Sequence, residues 1–199
     1  MDKTESYLYK YRSISNFRYF VDILLKKRLY GAKYNDLNDP FEGILLVRSE
    51  QMSSSLQEHK RDLQQQRKNY RVCSLSKVHD NNLMWAHYAD GHKGCCIELS
   101  VEEDPKWSRL DVEYGDKALD IDEDTTIEQV LSHKLSPWSY EEEVRFISDS
   151  ESQFLKVRIN KIYLGCKMSG FDRTFVSELI QKIDSSIKVE DMPKSSFIY

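Results

Sequence analysis

The chain is short of the residues that loosen or interrupt a backbone: 7 glycines and 4 prolines in 199 residues. Flexible-linker and proline-rich disorder are excluded over most of its length. No apolar run approaches the roughly 18 residues that a membrane-spanning helix needs, because the richest window, 17–25, is broken by Arg18 and Asp22. A soluble protein without a membrane partner is expected. The opening MDKTES carries no apolar stretch ahead of a small-residue cleavage site, so the expected location is cytoplasmic. Cysteine is sparse: Cys73, Cys95, Cys96 and Cys166 include an adjacent pair that cannot easily bridge to itself, and free thiols are expected. A large charge of one sign is also missing, since 29 Lys+Arg face 33 Asp+Glu for a net charge of -4. That argues against a protein held to nucleic acid by bulk charge, which needs clustered cations. There is no glycine-rich phosphate loop, HExxH, GxSxG or Cys-x2-Cys framework, and no metal is expected.

Charge and aromatics are plentiful instead, at 31% and 12%. The length suits one domain, 1–199, with a core over about 7–190. Leu8–Arg12 alternates as a strand, and Ser15 is placed to cap a helix carrying Phe17, Phe20, Val21, Leu24 and Leu25. Residues 29–32 suggest a short strand and 35–42 a structured loop. The polar stretch 50–68 reads as a solvated helical excursion on the surface. Arg71–Ser76 and Gly94–Leu99 read as strands flanking a helical LMWAHYA. Leu110–Tyr114, Tyr140–Ile147, Phe154–Ile159, Lys161–Leu164 and Ser186–Glu190 read as further strands. Thr126–Lys134 and Phe171–Ile183 read as helices, the second with Phe171, Phe175, Val176, Leu179, Ile180 and Ile183 on one side. Short strands without regular strand–helix alternation point to an α+β class, with mixed or antiparallel short-stranded sheets flanked by helices.

The densest chemical signal is Trp138-Ser139-Tyr140-Glu141-Glu142-Glu143-Val144-Arg145. On a strand, Glu141, Glu143 and Arg145 would share a face, with the carboxylates about 7 Å apart. Such a pair can hold a ribose hydroxyl with one carboxylate and orient or deprotonate a nucleophile with the other; the same spacing also fits the solvated face of an edge strand. Ser74 and Ser76 share a strand face and can position a ribose or carboxamide. Arg12, following Tyr9 and Tyr11, suits an anion clamp or an ordinary surface position. Trp85, His87 and Tyr88 combine rings able to stack on a heterocycle with a group titrating near neutrality, though such aromatics, Trp85 above all, more often belong to a core. Cys73 points to the core, where a thiol is inert.

Taken together, YKYR at 9–12, Asn38-Asp39-Pro40-Phe41-Glu42, Cys73–Ser76, Met84-Trp85-Ala86-His87-Tyr88 and Trp138-x-x-Glu141-x-Glu143-x-Arg145 resemble a widespread bacterial family of unknown function, over about 7–184. More distantly, an arginine on the first strand, Ser-x-Ser on a middle strand and Glu-x-Glu on a late one are similar to the Arg-Ser-Glu arrangement of the mono-ADP-ribosyltransferases. That resemblance implies their fold, NAD as substrate, Arg12 on the NAD phosphates and Ser74 as the first serine of the motif. It makes Glu143 the catalytic glutamate and Glu141 the acceptor-orienting residue. Leu75 stands where the motif has threonine. Related transferases use His and Tyr to stack nicotinamide, which would involve His87 and Tyr88.

Three functions remain open at this level. One is a bacterial toxin or phage-defence effector that transfers ADP-ribose from NAD to a macromolecular acceptor, protein or nucleic acid, with an antitoxin or regulatory partner. The second is a non-catalytic nucleotide- or partner-binding module using Arg12, Trp85 and Tyr88. The third is a metal-dependent hydrolase or nuclease in which Glu141, Glu143 and Asp111 or Glu113 hold Mg²⁺.

Overall fold

The computed structural model describes residues 7–37, 39, 45–47 and 53–192. In chain order the first elements are β1 (Leu8–Arg12), α1 (Phe17–Lys26), β2 (Arg28–Tyr30), β3 (Ala32–Lys33), β4 (Leu45–Leu46) and α2 (Ser54–Gln66). Then come β5 (Arg71–Ser76), α3 (Asn82–Tyr88), β6 (Cys95–Val101), β7 (Ser108–Asp111), β8 (Glu113–Gly115) and β9 (Leu119–Asp120). The last are α4 (Ile127–Ser132), β10 (His133–Leu135), β11 (Glu143–Ser148), β12 (Phe154–Leu164), α5 (Gly170–Ile183) and β13 (Lys188–Asp191). The chain falls into two compact units, each assembled from separated stretches: Met1–Leu29, Leu75–Asp104 and Phe154–Tyr199, and Tyr30–Ser74 and Pro105–Gln153. Both are mixed α+β, and the longest strand pairing of each is antiparallel.

In the first unit β6 lies between β1 and β12, antiparallel to both, and β13 joins β12 in parallel. The last residues of β5 extend β1, with Tyr9 opposite Ser76. The β1–β6 register sets Leu8 against Leu99 and Lys10 against Ile97 on one face, and Tyr9 against Glu98 and Tyr11 against Cys96 on the other. Residues 154–164, expected as two strands, form one continuous strand whose register shifts between Ile159 and Lys161, so Asn160 is a bulge. The N-cap of α1 is Asn16 rather than Ser15, whose hydroxyl is engaged by Ser13 at 2.6 Å. Helix α5, capped by Ser169, buries Val176 and Ile180 but leaves Phe171 83% exposed, so its apolar stripe is only partly covered. Gly94, between α3 and β6, has no room for a side chain: a Cβ there would stand 2.2 Å from the Arg12 carbonyl oxygen.

In the second unit the first residues of β5 pair with β3, and β11 lies between β5 and β7. Two short parallel pairs, β10–β8 and β4–β9, complete it. The expected strand 110–114 is two strands split at Val112, whose N–H donates to the Glu143 carbonyl instead. The expected helix 126–134 begins at a Thr126 capping box but stops at Ser132, and 133–135 continue as β10. The 50–68 excursion is a helix over 54–66, yet it is docked: Leu56 and Leu63 enter a core with Val72, Val130, Leu131 and Ile147. Two leucines seven residues apart lie on one face of a helix, and that is enough to anchor an otherwise polar one.

A Leu63→Ala variant is therefore expected to lose about 2–4 kcal/mol in urea unfolding, whereas Phe171→Ala changes stability by less than about 0.5 kcal/mol. Equal effects at the two positions would contradict the docked helix.

Candidate active site

Pro137 lies in the first turn of a short 3-10 helix over Ser136–Glu141, which ends at Glu142 in the left-handed conformation with φ 42°. Strand β11 begins at the next residue. Glu141 and Glu143 therefore do not share a strand face, as alternation predicted. They converge instead by a local reversal of the chain on the same ammonium: Lys134 Nζ donates to Glu141 Oε2 at 2.5 Å and to Glu143 Oε2 at 3.0 Å. Arg145 grips Glu143 with two donors, Nε to Oε1 at 2.9 Å and Nη2 to Oε2 at 3.1 Å, and its Nη1 donates to the Leu131 carbonyl at 2.7 Å. Ser74 adds a hydroxyl hydrogen bond to the Glu143 carboxylate, across 69 residues of sequence. The Glu143 N–H donates to Tyr114 Oη at 2.9 Å, and the indole of Trp138 lies 5.1 Å from Lys134 Nζ, within cation–π range.

The solvated-edge alternative is overturned by burial. Every residue of β11 is buried, Glu141 and Glu143 are 5% and 4% exposed, and β11 has a neighbour on each side. The charges are tolerable there because two carboxylates face an ammonium and a guanidinium, so each ion is compensated at hydrogen-bond distance. Burial pushes the Glu143 carboxyl up, but Arg145, then Lys134, then the hydrogen bonds from Arg145 and Ser74 hold it down at about 2. Burial likewise pulls Lys134 down, and Glu143 and Glu141 together outweigh it and leave the ammonium above its ordinary pKa. Tyr114 is pushed up to about 12, chiefly by burial. At neutral pH Glu143 is ionised and fixed in orientation.

Lys134 and Tyr114 are the members that sequence reading missed. Lys134 sits where a helix was expected to continue, and nothing in its neighbours marks the switch to a strand that turns it inward.

The remaining candidates are spread differently. Ser76, buried in the first unit, accepts a hydrogen bond from Val78 N–H. Arg12 pairs with Cys95, which puts it on the face of β1 opposite Tyr9 and Tyr11; among the described residues its buried Nε meets no hydrogen-bond acceptor. Tyr11 is buried and donates to the Val78 carbonyl at 3.0 Å. Trp85 has no exposed surface: it donates to the His79 carbonyl at 2.8 Å and meets the Tyr11 ring edge-on at 5.5 Å. Its part is in the core, since stacking on a ligand needs a free face. His87 is exposed and meets the half-buried Tyr88 edge-on at 6.4 Å. Asn38 lies outside the described residues, and Asp39 is buried. Burial pushes the Cys95 thiol up to about 12 and raises Cys96 as well, and all four cysteines are free. Among the described residues no three His, Cys, Asp or Glu side chains gather into a metal-binding group, and no helix is long and apolar enough to cross a membrane.

Two outcomes follow from this geometry. The Glu143 pKa is lower folded than its ordinary 4.5, so the cluster stabilises the protein above about pH 4.5 and that contribution, about 3 kcal/mol, is lost as pH falls toward 2. Acid unfolding of the wild type against Glu143→Gln reads this directly: the variant is less stable at pH 7, and its stability varies less between pH 4.5 and 2. Glu142, exposed and left-handed, is expected to accept glycine with unchanged or slightly higher melting temperature, whereas Glu142→Val loses about 1–2 kcal/mol.

A family described as a protein of unknown function (DUF2971) matches residues 84–146, the stretch running from α3 to the middle of β11. No curated protein and no solved structure matches the chain.

Proposed function

We propose that the second unit carries the catalytic carboxylates of an NAD-dependent ADP-ribosyltransferase, acting on a macromolecular acceptor in the manner of a bacterial toxin or phage-defence effector. The observation that carries the reading is the hydrogen bond from Ser74 to Glu143. The serine and the glutamate that the motif pattern pairs meet in space, although they are far apart in sequence. In the proposed reaction the bond from the ribose C1′ to nicotinamide breaks, and nicotinamide leaves with the bonding electrons as a neutral molecule. Positive charge grows on C1′ and the ring oxygen, and the acceptor's nucleophilic atom then bonds to C1′ and releases its proton. An ionised, oriented Glu143 is the group that stabilises that charge, because a carboxylate fixed beforehand needs no reorganisation as charge develops. Glu141 takes the acceptor's proton.

A second observation favours the non-catalytic binding module. Both oxygens of Glu143 are already occupied by donors from Arg145 and Lys134, the pattern of a structural clamp.

The two readings separate on nicotinamide release from NAD by the full chain, with lysate, protein or nucleic acid as acceptor. The transferase releases nicotinamide and labels an acceptor, and Glu143→Gln falls at least 100-fold at a temperature where its circular dichroism matches wild type. An Arg12→Ala variant with unchanged KM for NAD would remove that arginine from the scheme. No release by the wild type with any acceptor sinks the enzyme reading.

A further inference from the structure

The first unit contains an aromatic slot that plays no part in the chemistry above. The imidazole of His79 lies between the rings of Tyr9 and Tyr163, 4.8 Å from each centroid and tilted 25° and 28° to them. These are offset-stacking distances on both faces of one flat nitrogen heterocycle. The walls come from regular structure: Tyr9 is on β1 and Tyr163 on β12, both on the sheet face that carries Glu98. Tyr163 is fixed by donating to Glu98 Oε2 at 3.2 Å, and the Lys161 ammonium is 5.2 Å from its ring. Burial, then Glu98, raises Tyr9 to about 12, so its phenol stays protonated at physiological pH.

The occupant is held differently from the walls. The backbone at His79 is pinned independently of its ring, through Tyr11 to the Val78 carbonyl, Trp85 to the His79 carbonyl and Val78 N–H to Ser76. The imidazole can therefore swing out by side-chain rotation while the loop stays in place, and both it and Tyr9 are only half-buried. Beside the slot, Glu98 and Lys161, which face each other across β6 and β12, line a cleft of about 560 Å³ that also includes Glu102, Lys27 and Asn160. That volume is in the range of small-molecule sites. Its carboxylates and amide are the partners that sugar hydroxyls and base N–H groups recruit.

We propose that this slot is a binding site for a nucleoside, whose planar base replaces the His79 ring between Tyr9 and Tyr163 and whose hydroxylated sugar lies in the adjoining cleft against Glu98 and Glu102. His79 is the resident competitor: the ligand must displace its stack, which weakens binding in the wild type and is relieved when the imidazole is removed.

Adenosine is the probe, with ribose and adenine as controls, on the full chain and without NAD turnover as a readout, so the outcome is independent of the transferase reading. Adenosine is expected to shift the His79 ring resonances in wild-type protein. His79→Ala is expected to bind adenosine at least tenfold tighter, and adding Tyr163→Leu to that variant abolishes the gain. Ribose alone has no effect. Unmoved His79 resonances, no gain in His79→Ala, or an equal response to ribose overturns the proposal. Should His79→Ala not unfold cooperatively, the wild-type titration decides.

Discussion

Charge compensation at Glu143 is the constraint around which the second unit is arranged. A carboxylate this deeply enclosed cannot stand alone, because an unpaired buried ion carries a desolvation cost of several kcal/mol. Each of its neighbours must therefore arrive from a particular element: Arg145 from two residues along β11, Lys134 from β10, Ser74 from β5 and Tyr114 from β8. The short parallel pairing of β10 with β8, with Lys134 opposite Tyr114, places two of these groups in one register. The early end of α4 and the left-handed Glu142 follow the same requirement, since without them neither Lys134 nor Glu141 would reach the cluster.

This arrangement explains how a motif that looks solvated becomes interior. Alternating polar and apolar residues ordinarily signal a strand with one wet face. In β11 the polar alternates neutralise each other at contact distance, so both faces can be buried. The Arg145 guanidinium makes this possible, since a planar fork satisfies two carboxylate lone pairs and still has a donor left for the Leu131 carbonyl.

Much of the fold was legible in local pattern. The strand patterns of Leu8–Arg12 and Arg71–Ser76, the apolar run of β6 and the helical stretch beginning at Thr126 all correspond to elements found. What pattern could not convey was long-range pairing. Leu56 and Leu63 are too few to suggest a docked helix, and only the core they enter makes them decisive. Trp85 illustrates the opposite case: a tryptophan beside a histidine and a tyrosine fitted either a ligand wall or a core, and the structure commits its N–H to the His79 carbonyl and its ring to an edge-on contact with Tyr11. For the carboxylates, residue types and proximity were readable, whereas the counter-ion from Lys134 was not. The helix signal before it gave no hint that the chain would become a strand at His133.

The extra residue in β12 reaches further than its local irregularity. Ahead of Asn160 the inward positions are Leu155, Val157 and Ile159, at odd numbers; after it they are Ile162 and Leu164, at even ones. The bulge thus acts as a phase corrector between two half-strands written in opposite registers. Lys161 and Tyr163 reach the Glu98 face only because that correction has been made. Changing the identity of residue 160 would leave the correction intact, whereas deleting it would exchange the faces of everything on one side. In β12 the number of residues is a stronger constraint than the identity of the one that supplies the count.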